Sequence, residues 1–467
     1  MTMQRAACIG LMIGICAPVA QLWADATKEQ IAKLGGDELN CMGAPRKGTE
    51  SGVAEYTGKW FKTWPGQSKP HGYEPGPYAD EEPIVTITAD NYKEHAERLS
   101  ESLKQMFQKY PEQFRMNVYS SHRDFRYHDW VCDAVRYNAE NAKIVDDGLG
   151  LEGMAGAHPF PFPENGLEAI WNVTQPHRAW TEHAIYDIAV VQGDGTVSWG
   201  KWDFTTMNAG ANPDPDERGY FSDKVGGYLF IELLAPPSNR GEINVGYQPN
   251  NFANDSTQAW QYNPGTRRVR KAPEIGHDYP VPPAGMRTSD DDYIFNGSPE
   301  RYSWKLVGKK EMYIPRHNFR VNDPDISYDE LIQSKTINPE HVRWELHRVW
   351  VIDGYLKEEY RHVYGKRRIY AHEDTWLAHM SDNYDTRGNI WRSNWVLYFY
   401  SQESGTYQRG VSLFHDLTSG AYEADYLVNE AGDGWWRLNQ PMRPQQFAPE
   451  AAARAAASGA NCWGRIG

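Results

Sequence analysis

Short runs of β-branched and aromatic residues, separated by turn signals, fill the chain from Gly166 to about residue 445. Examples are AIYDIAVVQGDGTVSWGKWDF and VRWELHRVWVIDGYL, and the turns include Gly-Asp-Gly, Asp-Gly and Arg-Gly-Asn. Runs of strand length at hairpin spacing are typical of an antiparallel meander. The sequence therefore predicts an α+β fold built on one large, strongly curved antiparallel sheet, a barrel or half-barrel, across residues 166–445.

The residues before this region predict an exported protein with a helical and extended N-terminal part. Residues 1–26 read as a cleaved signal peptide, with Arg5, an apolar run and a small-residue cleavage site. Within residues 27–165, an arm rich in Gly, Pro and aromatic residues precedes two predicted helices. The first helix is capped by Thr88 or Asp90 and ends before Pro111, and the second spans Asp129 to Val145. The Ala-rich residues 446–467 predict a short helix or a loose end.

Composition excludes two broad classes of protein. The formal net charge is -14, which argues against a nucleic-acid partner because the phosphate backbone repels an acidic surface. The mean hydropathy is -0.71, and no apolar stretch of membrane length follows the signal. We therefore expect an exported, water-soluble protein.

Three cysteines follow the signal peptide, so one disulfide and one leftover thiol are possible in an oxidising compartment. Cys132 falls within a helical pattern and is interpreted as a small core residue. Cys41 and Cys462 lie in Gly-rich stretches near the two ends of the chain. A bridge between Cys41 and Cys462 is the pairing we expect, although spacing alone does not establish connectivity.

The segment YNPGTRRVRK, residues 262–271, predicts a hairpin. A type II turn with Pro264 and Gly265 at its centre would place Tyr262 opposite Arg267 and Trp260 opposite Val269. Because strand side chains alternate, Trp260, Tyr262 and Val269 share one face with the stems of Arg267 and Lys271. Arg268 and Arg270 project from the other face, so the cations do not form one basic surface.

A search for catalytic and metal-binding motifs finds none, and no cofactor is expected. The chain has no HExxH string, no G-x-S-x-G elbow, no P-loop and no dinucleotide fingerprint. His122 and His128 are interpreted as polar loop residues. An acidic loop resembles a calcium loop but lacks its Gly and its final Glu, and it comprises Asn212, Asp214, Asp216 and Asp223. The acidic run Asp290–Asp292 is expected to bind turn amides or Arg287 rather than a metal.

Several blocks of the chain resemble a Gram-negative family, domain of unknown function 1329. They include QAWQYNPGTRRVRKAP, GMRTSDDDYIFNGSPERYSWKLVGKKEMYIP and GLEGMAGAHPFPFPENGLEAIWN, and the resemblance reaches about residue 445. The sheet portion is similar to the outer-membrane lipoprotein-sorting carriers, the LolA and LolB group. The matching pieces are Tyr262-Asn263-Pro264, Arg268-Val269-Arg270 and Ser289-Asp290-Asp291-Asp292-Tyr293. The long region before residue 166 is absent from those small carriers.

The resemblance implies an unclosed antiparallel barrel covered by helices, with an apolar cavity for acyl chains or another hydrophobe. It also implies a membrane transporter of the resistance-nodulation-division (RND) type as a partner. Our first hypothesis is thus a non-enzymatic periplasmic carrier of a lipid, a lipoprotein or another hydrophobic ligand. The candidate cavity wall comprises Phe230, Leu233, Trp260, Tyr262 and Val269, with Arg268 and Arg270 near a head group.

Two alternatives come from other functional classes. An exported hydrolase or lyase acting on a hydrophobic or glycan substrate would require a pair of carboxylates, or a His–carboxylate pair, converging in the cavity. A structural envelope protein would use the aromatic arm to bind a partner. The 18 Trp and 28 Tyr residues fit a ligand-binding sheet, although cross-strand packing accounts for most of them.

Overall fold

A computed structural model describes residues 26–59, 72–73, 75–215, 225–272, 275–432 and 436–458. Residues 1–25 of the predicted signal peptide, Cys462 and two members of the acidic loop, Asp216 and Asp223, lie outside these residues. The helices are α1 Lys28–Lys33, α2 Glu101–Lys109, α3 Asp129–Asn141, α4 Gly166–Thr174, α5 Tyr328–Leu331 and α6 Pro449–Ser458. Short 3₁₀ helices lie at Tyr92–Arg98, Asp146–Gly148, Ala209–Ala211, Ser289–Asp291, Arg320–Asn322, Pro339–His341 and Pro444–Phe447.

The strands begin mainly after residue 180, as the alternating runs predict. They are β1 Val85–Ile87, β2 Met116–Tyr119, β3 Lys143–Val145, β4 Gly150–Glu152, β5 Thr181–Val191, β6 Val197–Asn208, β7 Val225–Ala235, β8 Ile243–Pro249, β9 Gln258–Asn263, β10 Arg268–Lys271, β11 Tyr302–Pro315, β12 Arg343–Leu356, β13 Lys366–His372, β14 Ala378–Tyr384, β15 Ile390–Ser401, β16 Thr406–Asp416, β17 Ala421–Leu427 and β18 Trp436–Leu438.

One 16-stranded sheet organises the fold. Its order is β1-β2-β12-β13-β14-β15-β16-β17-β5-β6-β7-β8-β9-β10, while β11 pairs with β12 and β18 pairs with β5. Every pairing is antiparallel except that of β2 with β12, which is parallel. Within the described residues β10 pairs only with β9, so the sheet is unclosed, as predicted. Strands β3 and β4 form a separate ribbon.

Helices cover the sheet by packing apolar side chains against it. Val131 and Val135 of α3 share a core with Ile188 and Trp376 of the sheet region. A second core joins Leu103, Met106 and Phe107 of α2 to sheet residues that include Trp395 and Leu413. Helix α6 forms a third core with the last strands of the order.

The single helix predicted between Thr88 and Pro111 is wrong. The chain forms the 3₁₀ helix Tyr92–Arg98, passes through extended Leu99, and restarts as α2 with Ser100 as N-cap. Asp382 of β14 accepts hydrogen bonds from the backbone N–H groups of Glu101 and Ser102 at 3.0 and 3.2 Å. A carboxylate at a helix N-terminus satisfies amides that have no partner within the helix. The end of the 3₁₀ helix and the start of α2 are therefore fixed by Asp382, a strand residue 280 positions from Ser102.

The second predicted helix begins at Asp129 as expected but ends four residues early, at Asn141 rather than Val145. Residues Lys143–Val145 instead form β3 and pair with Gly150–Glu152. The backbone hydrogen bonds of this strand pair replace those that a longer helix would make.

The predicted pairing of Cys41 with Cys462 is replaced by a disulfide between Cys41 and Cys132, whose Cα atoms are 5.2 Å apart. Cys132 is thus not a free core thiol. Two contacts hold the N-terminal segment in place: Asn40 donates to Asp374 at 2.7 Å, and Arg136 of α3 donates to the carbonyl of Leu34 at 2.9 Å. These long-range contacts bring Cys41 to the helix.

We expect Cys41→Ser to lower the free energy of unfolding by about 2–4 kcal/mol, because the bridge closes a loop of 91 residues. Urea unfolding followed by tryptophan fluorescence measures the change. Cys462→Ser is the matched control and is expected to have no such effect. Peptide mapping that links Cys41 to Cys462 would contradict the assignment.

Candidate functional site

The hairpin at residues 258–271 forms with a longer turn than the one predicted. Asn263 pairs with Arg268, Tyr262 with Val269, and Trp260 with Lys271. The turn residues are therefore 264–267, and the Thr266 N–H donates to Oδ1 of Asn263 at 3.0 Å. Arg267, predicted in the strand, lies in this turn with φ at 52°. Each residue of β9 pairs with a residue two positions further along the chain than predicted. Because two is an even number, the side chains still point to the predicted faces of the sheet.

One face of β7–β10 is largely apolar, with the partly buried Glu232 of β7 beside Ile243, and we call it the covered apolar face. Cross-strand pairing places Phe230, Val245 and Trp260 on one rung. The next rung holds Ile243, Tyr262 and Val269. We define the covered apolar face as Phe230, Ile243, Val245, Tyr262 and Val269, which belong to one apolar cluster.

Trp260 borders the covered apolar face and is half-buried. Its ring lies 4.9 Å from that of Tyr247, and the Lys271 ammonium is 5.8 Å from its centroid. Four of the predicted ligand residues, Phe230, Trp260, Tyr262 and Val269, therefore share one side of the sheet.

The remaining predicted residues lie elsewhere. Leu233 pairs with Trp202, and both belong to the core on the opposite face of β7. Arg268 and Arg270 are exposed and project away from Val269, as alternation predicts. Their contact with a head group stays a prediction.

The cover of the apolar face is α6 together with the 3₁₀ turn before it. Ala452 and Ala455 of α6 are buried in the same cluster as the sheet residues. Phe447 is fully buried there, and its carbonyl accepts a hydrogen bond of 3.1 Å from the Tyr247 hydroxyl. The cover thus combines one aromatic anchor with small alanine side chains.

A pocket of about 260 Å³ opens beside this cluster, and we call it the tryptophan pocket. It lies where β5 begins and where the β15–β16 turn and the end of β18 meet. Its lining residues are His128, Trp130, His177, Arg178, Trp180, Ala211, Pro213, Ser404 and Asn439. Sequence reasoning missed this pocket, because its members come from five separate segments and only His128 carried any signal.

Arg178 enters the tryptophan pocket stacked on an aromatic ring. Its guanidinium carbon lies 3.8 Å from the centroid of Tyr293, and Arg409 lies 4.2 Å from the same ring. Arg409 also binds Asp292 at 2.6 Å. Within the described residues Arg178 makes no ion pair, and its buried Nε has no hydrogen-bond partner.

The acidic run Asp290–Asp292 binds sheet arginines. Arg367 contacts Asp290 at 2.8 Å and Asp291 at 2.7 Å, and all three side chains are buried. The Thr288 N–H donates to Asp291 at 2.8 Å, which confirms the expected turn-amide bond.

Arg287 does not make the hydrogen bond expected with this run. Its guanidinium binds Glu423 at 3.1 Å and Asp425 at 3.0 Å instead. Burial raises the pKa of Glu423 to about 7, although Arg287 opposes the shift. These partners are more than 130 residues from Arg287, so no local pattern identifies them.

A second buried network surrounds Glu345 of β12. His317 and His347 each contact one of its oxygens at 2.9 Å, and Arg343 contacts it at 2.5 Å. The second ring nitrogen of His317 lies 2.7 Å from the Tyr407 hydroxyl. Burial alone would raise the pKa of Glu345, but His317 and Arg343 outweigh burial and hold that pKa well below its usual range. Burial lowers the pKa of His317 and of His347 to about 4.

The Glu345 network contains the His–carboxylate pairs that the hydrolase alternative requires, but it is closed. Glu345 and His347 are 0% exposed and His317 is 5% exposed. A substrate therefore does not reach them in this conformation. In the part of the chain that the structure describes, no group of three or more His, Cys, Asp or Glu residues is arranged to hold a metal ion.

These networks show that the interior opposite the covered apolar face is not purely apolar. Its buried side chains include charged residues of β12, β13, β16 and β17, such as Glu345, Arg367, Arg409 and Asp425. The apolar cavity implied by the resemblance stays a prediction.

Comparison with known proteins assigns the family. A model of the family described as "Protein of unknown function (DUF1329)" matches residues 86–453. The chain belongs to the DUF1329 family. The uncharacterized protein PA3922 of Pseudomonas aeruginosa is 36% identical over 438 residues, which cover 92% of this chain and 94% of that protein. No helix of the described residues is long and apolar enough to span a membrane.

Solved structures with similar folds are more distant. A domain from Vibrio parahaemolyticus assigned to outer membrane lipoprotein sorting has 11% identity and a TM-score of 0.41, and covers 62% of this chain and 98% of its own. A DUF1329 family protein from Desulfovibrio piger has 11% identity and a TM-score of 0.38, with 59% and 92% covered. A LolA superfamily protein from Nitrosomonas europaea has 10% identity and a TM-score of 0.36, with 62% and 100% covered. The family assignment rests on the family model and the Pseudomonas relative.

We expect acid to destabilise the protein between pH 6.5 and 4. A histidine whose folded pKa is lowered binds fewer protons when folded than when unfolded, so stability falls as the pH drops through this range. Each shift of the size found for His317 and His347 corresponds to about 3 kcal/mol. Buried carboxyl groups whose folded pKa is raised, such as Glu423, Glu182 and Asp425, act in the opposite direction, but the histidines with a lowered pKa are more numerous.

The thermal midpoint, measured by tryptophan fluorescence at successive pH values, tests this expectation. His347→Gln should make the midpoint less dependent on pH below 6.5, because one group that protonates on unfolding is gone. His95 is partly buried and lies outside the Glu345 network, so His95→Gln is the comparison variant. A midpoint that is constant from pH 7 to 4.5 would contradict the buried neutral histidines.

Proposed function

We propose that the protein is a periplasmic carrier of a hydrophobic ligand, and that the ligand's apolar part binds the covered apolar face when α6 moves away. The observation that carries the proposal is the mismatch between this face and its cover. Phe230, Tyr262 and Val269 are large apolar side chains of β7, β9 and β10, whereas α6 itself contributes only alanines to the cluster and the larger Phe447 belongs to the 3₁₀ turn before it. The resemblance to lipoprotein-sorting carriers supports the same class of ligand.

The free energies of burying apolar groups favour replacement of α6 by an acyl chain on this face. Burying a methyl or methylene group contributes about 0.8 kcal/mol, so the buried alanine side chains of α6 contribute roughly 2–3 kcal/mol. A chain of a dozen methylenes on the same surface would contribute up to about 10 kcal/mol before entropic costs. The apolar contacts of α6 itself are therefore weaker than those that a long acyl chain can make on the same surface.

The position of the covered apolar face makes it suitable for uptake and release. It includes Val269 of β10, the strand at the end of the sheet order, so a ligand can enter from the edge without opening the core. The buried ion pairs on β13, β16 and β17 remain in place during such exchange. Partnership with an RND-type transporter remains a prediction that follows from the resemblance.

The first test is mass spectrometry of lipids extracted from protein purified from the periplasm under native conditions. We expect one lipid class at a near-stoichiometric ratio. A protein free of lipid that also fails to bind an uncharged apolar dye, N-phenyl-1-naphthylamine, would exclude the carrier function.

A pair of variants separates the apolar face from its cover. Val269→Lys places a charge on the face and should weaken dye binding at least tenfold. Ala452→Lys weakens docking of α6 but leaves the face apolar, so it should strengthen dye binding. Both substitutions weaken the contact between α6 and the sheet. Only a ligand site beneath α6 predicts that they change dye affinity in opposite directions.

Two matched controls accompany these variants. Gln261→Lys adds the same charge to the opposite, exposed face of β9, and Ala456→Lys adds it to the exposed side of α6. Neither should change dye binding. Equal dye affinity in Val269→Lys and Ala452→Lys would place the ligand elsewhere.

A further inference from the structure

The tryptophan pocket combines aromatic walls with two polar atoms, Nε of Arg178 and the hydroxyl of Ser404, that have no hydrogen-bond partner among the described residues. Trp130 and Trp180 line it together with Arg178, and its volume is about 260 Å³. A pocket of this size holds a small charged group rather than a whole lipid. Apolar walls around a few polar groups are the usual design of a small-molecule site.

Arg178 is the charged group of the pocket. Buried arginines elsewhere in the fold meet carboxylates, as Arg367 meets Asp291 and Arg409 meets Asp292. Arg178 instead stacks on Tyr293 and donates to no acceptor among the described residues, with its Nε buried. A buried N–H without an acceptor is costly, and a bound oxyanion would remove that cost at Nε while also pairing with the partly exposed remainder of the guanidinium.

Ser404 is a second, independent sign of a missing ligand. Its side chain lines the pocket, the residue is 2% exposed, and its hydroxyl has no hydrogen-bond partner in the described part of the chain. Buried hydroxyls are normally paired, so an unpaired one at a pocket wall indicates an acceptor or donor that the protein does not itself supply.

The pocket is continuous with the covered apolar face. Trp180 and Ala211 line the pocket and also belong to the apolar cluster that contains Phe230, Tyr262 and the buried alanines of α6. A ligand in contact with Trp180 can thus have one end beside Arg178 and the other on the apolar sheet face.

We propose that the tryptophan pocket binds the anionic head group, a carboxylate or a phosphate, of an amphiphile whose chain lies on the covered apolar face. This inference rests on the carrier function and specifies its ligand class. Arg178 pairs with the oxyanion, Ser404 donates its hydroxyl, and the tryptophans exclude water.

The test uses the full-length mature protein and three amphiphiles that share a twelve-carbon chain: dodecanoate, dodecyl phosphate and dodecanol. Affinities are measured by calorimetric titration. At least one anion should bind ten or more times more tightly than the alcohol, and the preferred anion identifies the head group. Arg178→Gln should remove this preference and leave dodecanol binding unchanged, whereas Arg178→Lys should retain part of it.

Ser404→Ala gives a second, milder measurement, with an expected threefold or larger loss for the preferred anion alone. Arg240→Gln removes a positive charge from the exposed β7–β8 turn and is the control that should change no affinity. If all three amphiphiles bind equally to the unmodified protein, the head-group site is wrong and the carrier function stands. If none of them binds, both proposals fail.

Discussion

The ion pairs between the Asp290–Asp292 turn and two buried arginines set the architecture on one side of the sheet. Arg367 comes from β13 and Arg409 from β16, so the turn is attached to strands 76 and 117 residues further along the chain. Removing one partner of such a buried pair typically costs 3–5 kcal/mol, because the other charge stays buried and unpaired. The segment before β11 is consequently fixed against the sheet.

This arrangement decides where a hydrophobic ligand can bind. The side of the sheet that carries the ion pairs is filled with buried charged side chains that pair with one another, as the contacts of Glu345 illustrate. An acyl chain there would have to separate charges in a low-dielectric interior. The face of β7–β10 carries few charges and has a small helix over it, so displacement there breaks mainly dispersion contacts.

Local sequence patterns were sufficient for the parts of the fold that depend on alternation and on turns. The hairpin at residues 258–271 illustrates this: its turn is two residues longer than predicted, yet Trp260, Tyr262 and Val269 still share a face. A shift by an even number of residues preserves the side to which each side chain points. The antiparallel sheet follows from the same reasoning repeated along the chain, whereas its unclosed form was implied by the family resemblance.

Features that depend on distant partners could not be predicted from the sequence. The break before α2 depends on Asp382, and the Cys41–Cys132 bridge depends on the docking of the N-terminal segment. Arg178 gives no local sign of its role, because its environment combines Tyr293 with Ser404 from a turn more than two hundred residues away. Only the folded chain shows that this arginine, unlike Arg409, stacks on the ring without a carboxylate partner among the described residues.

The alanine content of α6 connects the two proposals. A helix with large apolar side chains would bury the sheet face more completely and would resist displacement by a ligand. Alanine has the highest helix propensity and the smallest apolar side chain that a helix former offers, so α6 can remain helical while it adheres weakly. Occupation of the tryptophan pocket by a head group adds a polar contact that α6 itself does not make with Arg178. An anionic amphiphile therefore gains binding energy in the tryptophan pocket and on the covered apolar face, whereas α6 competes only for the covered apolar face.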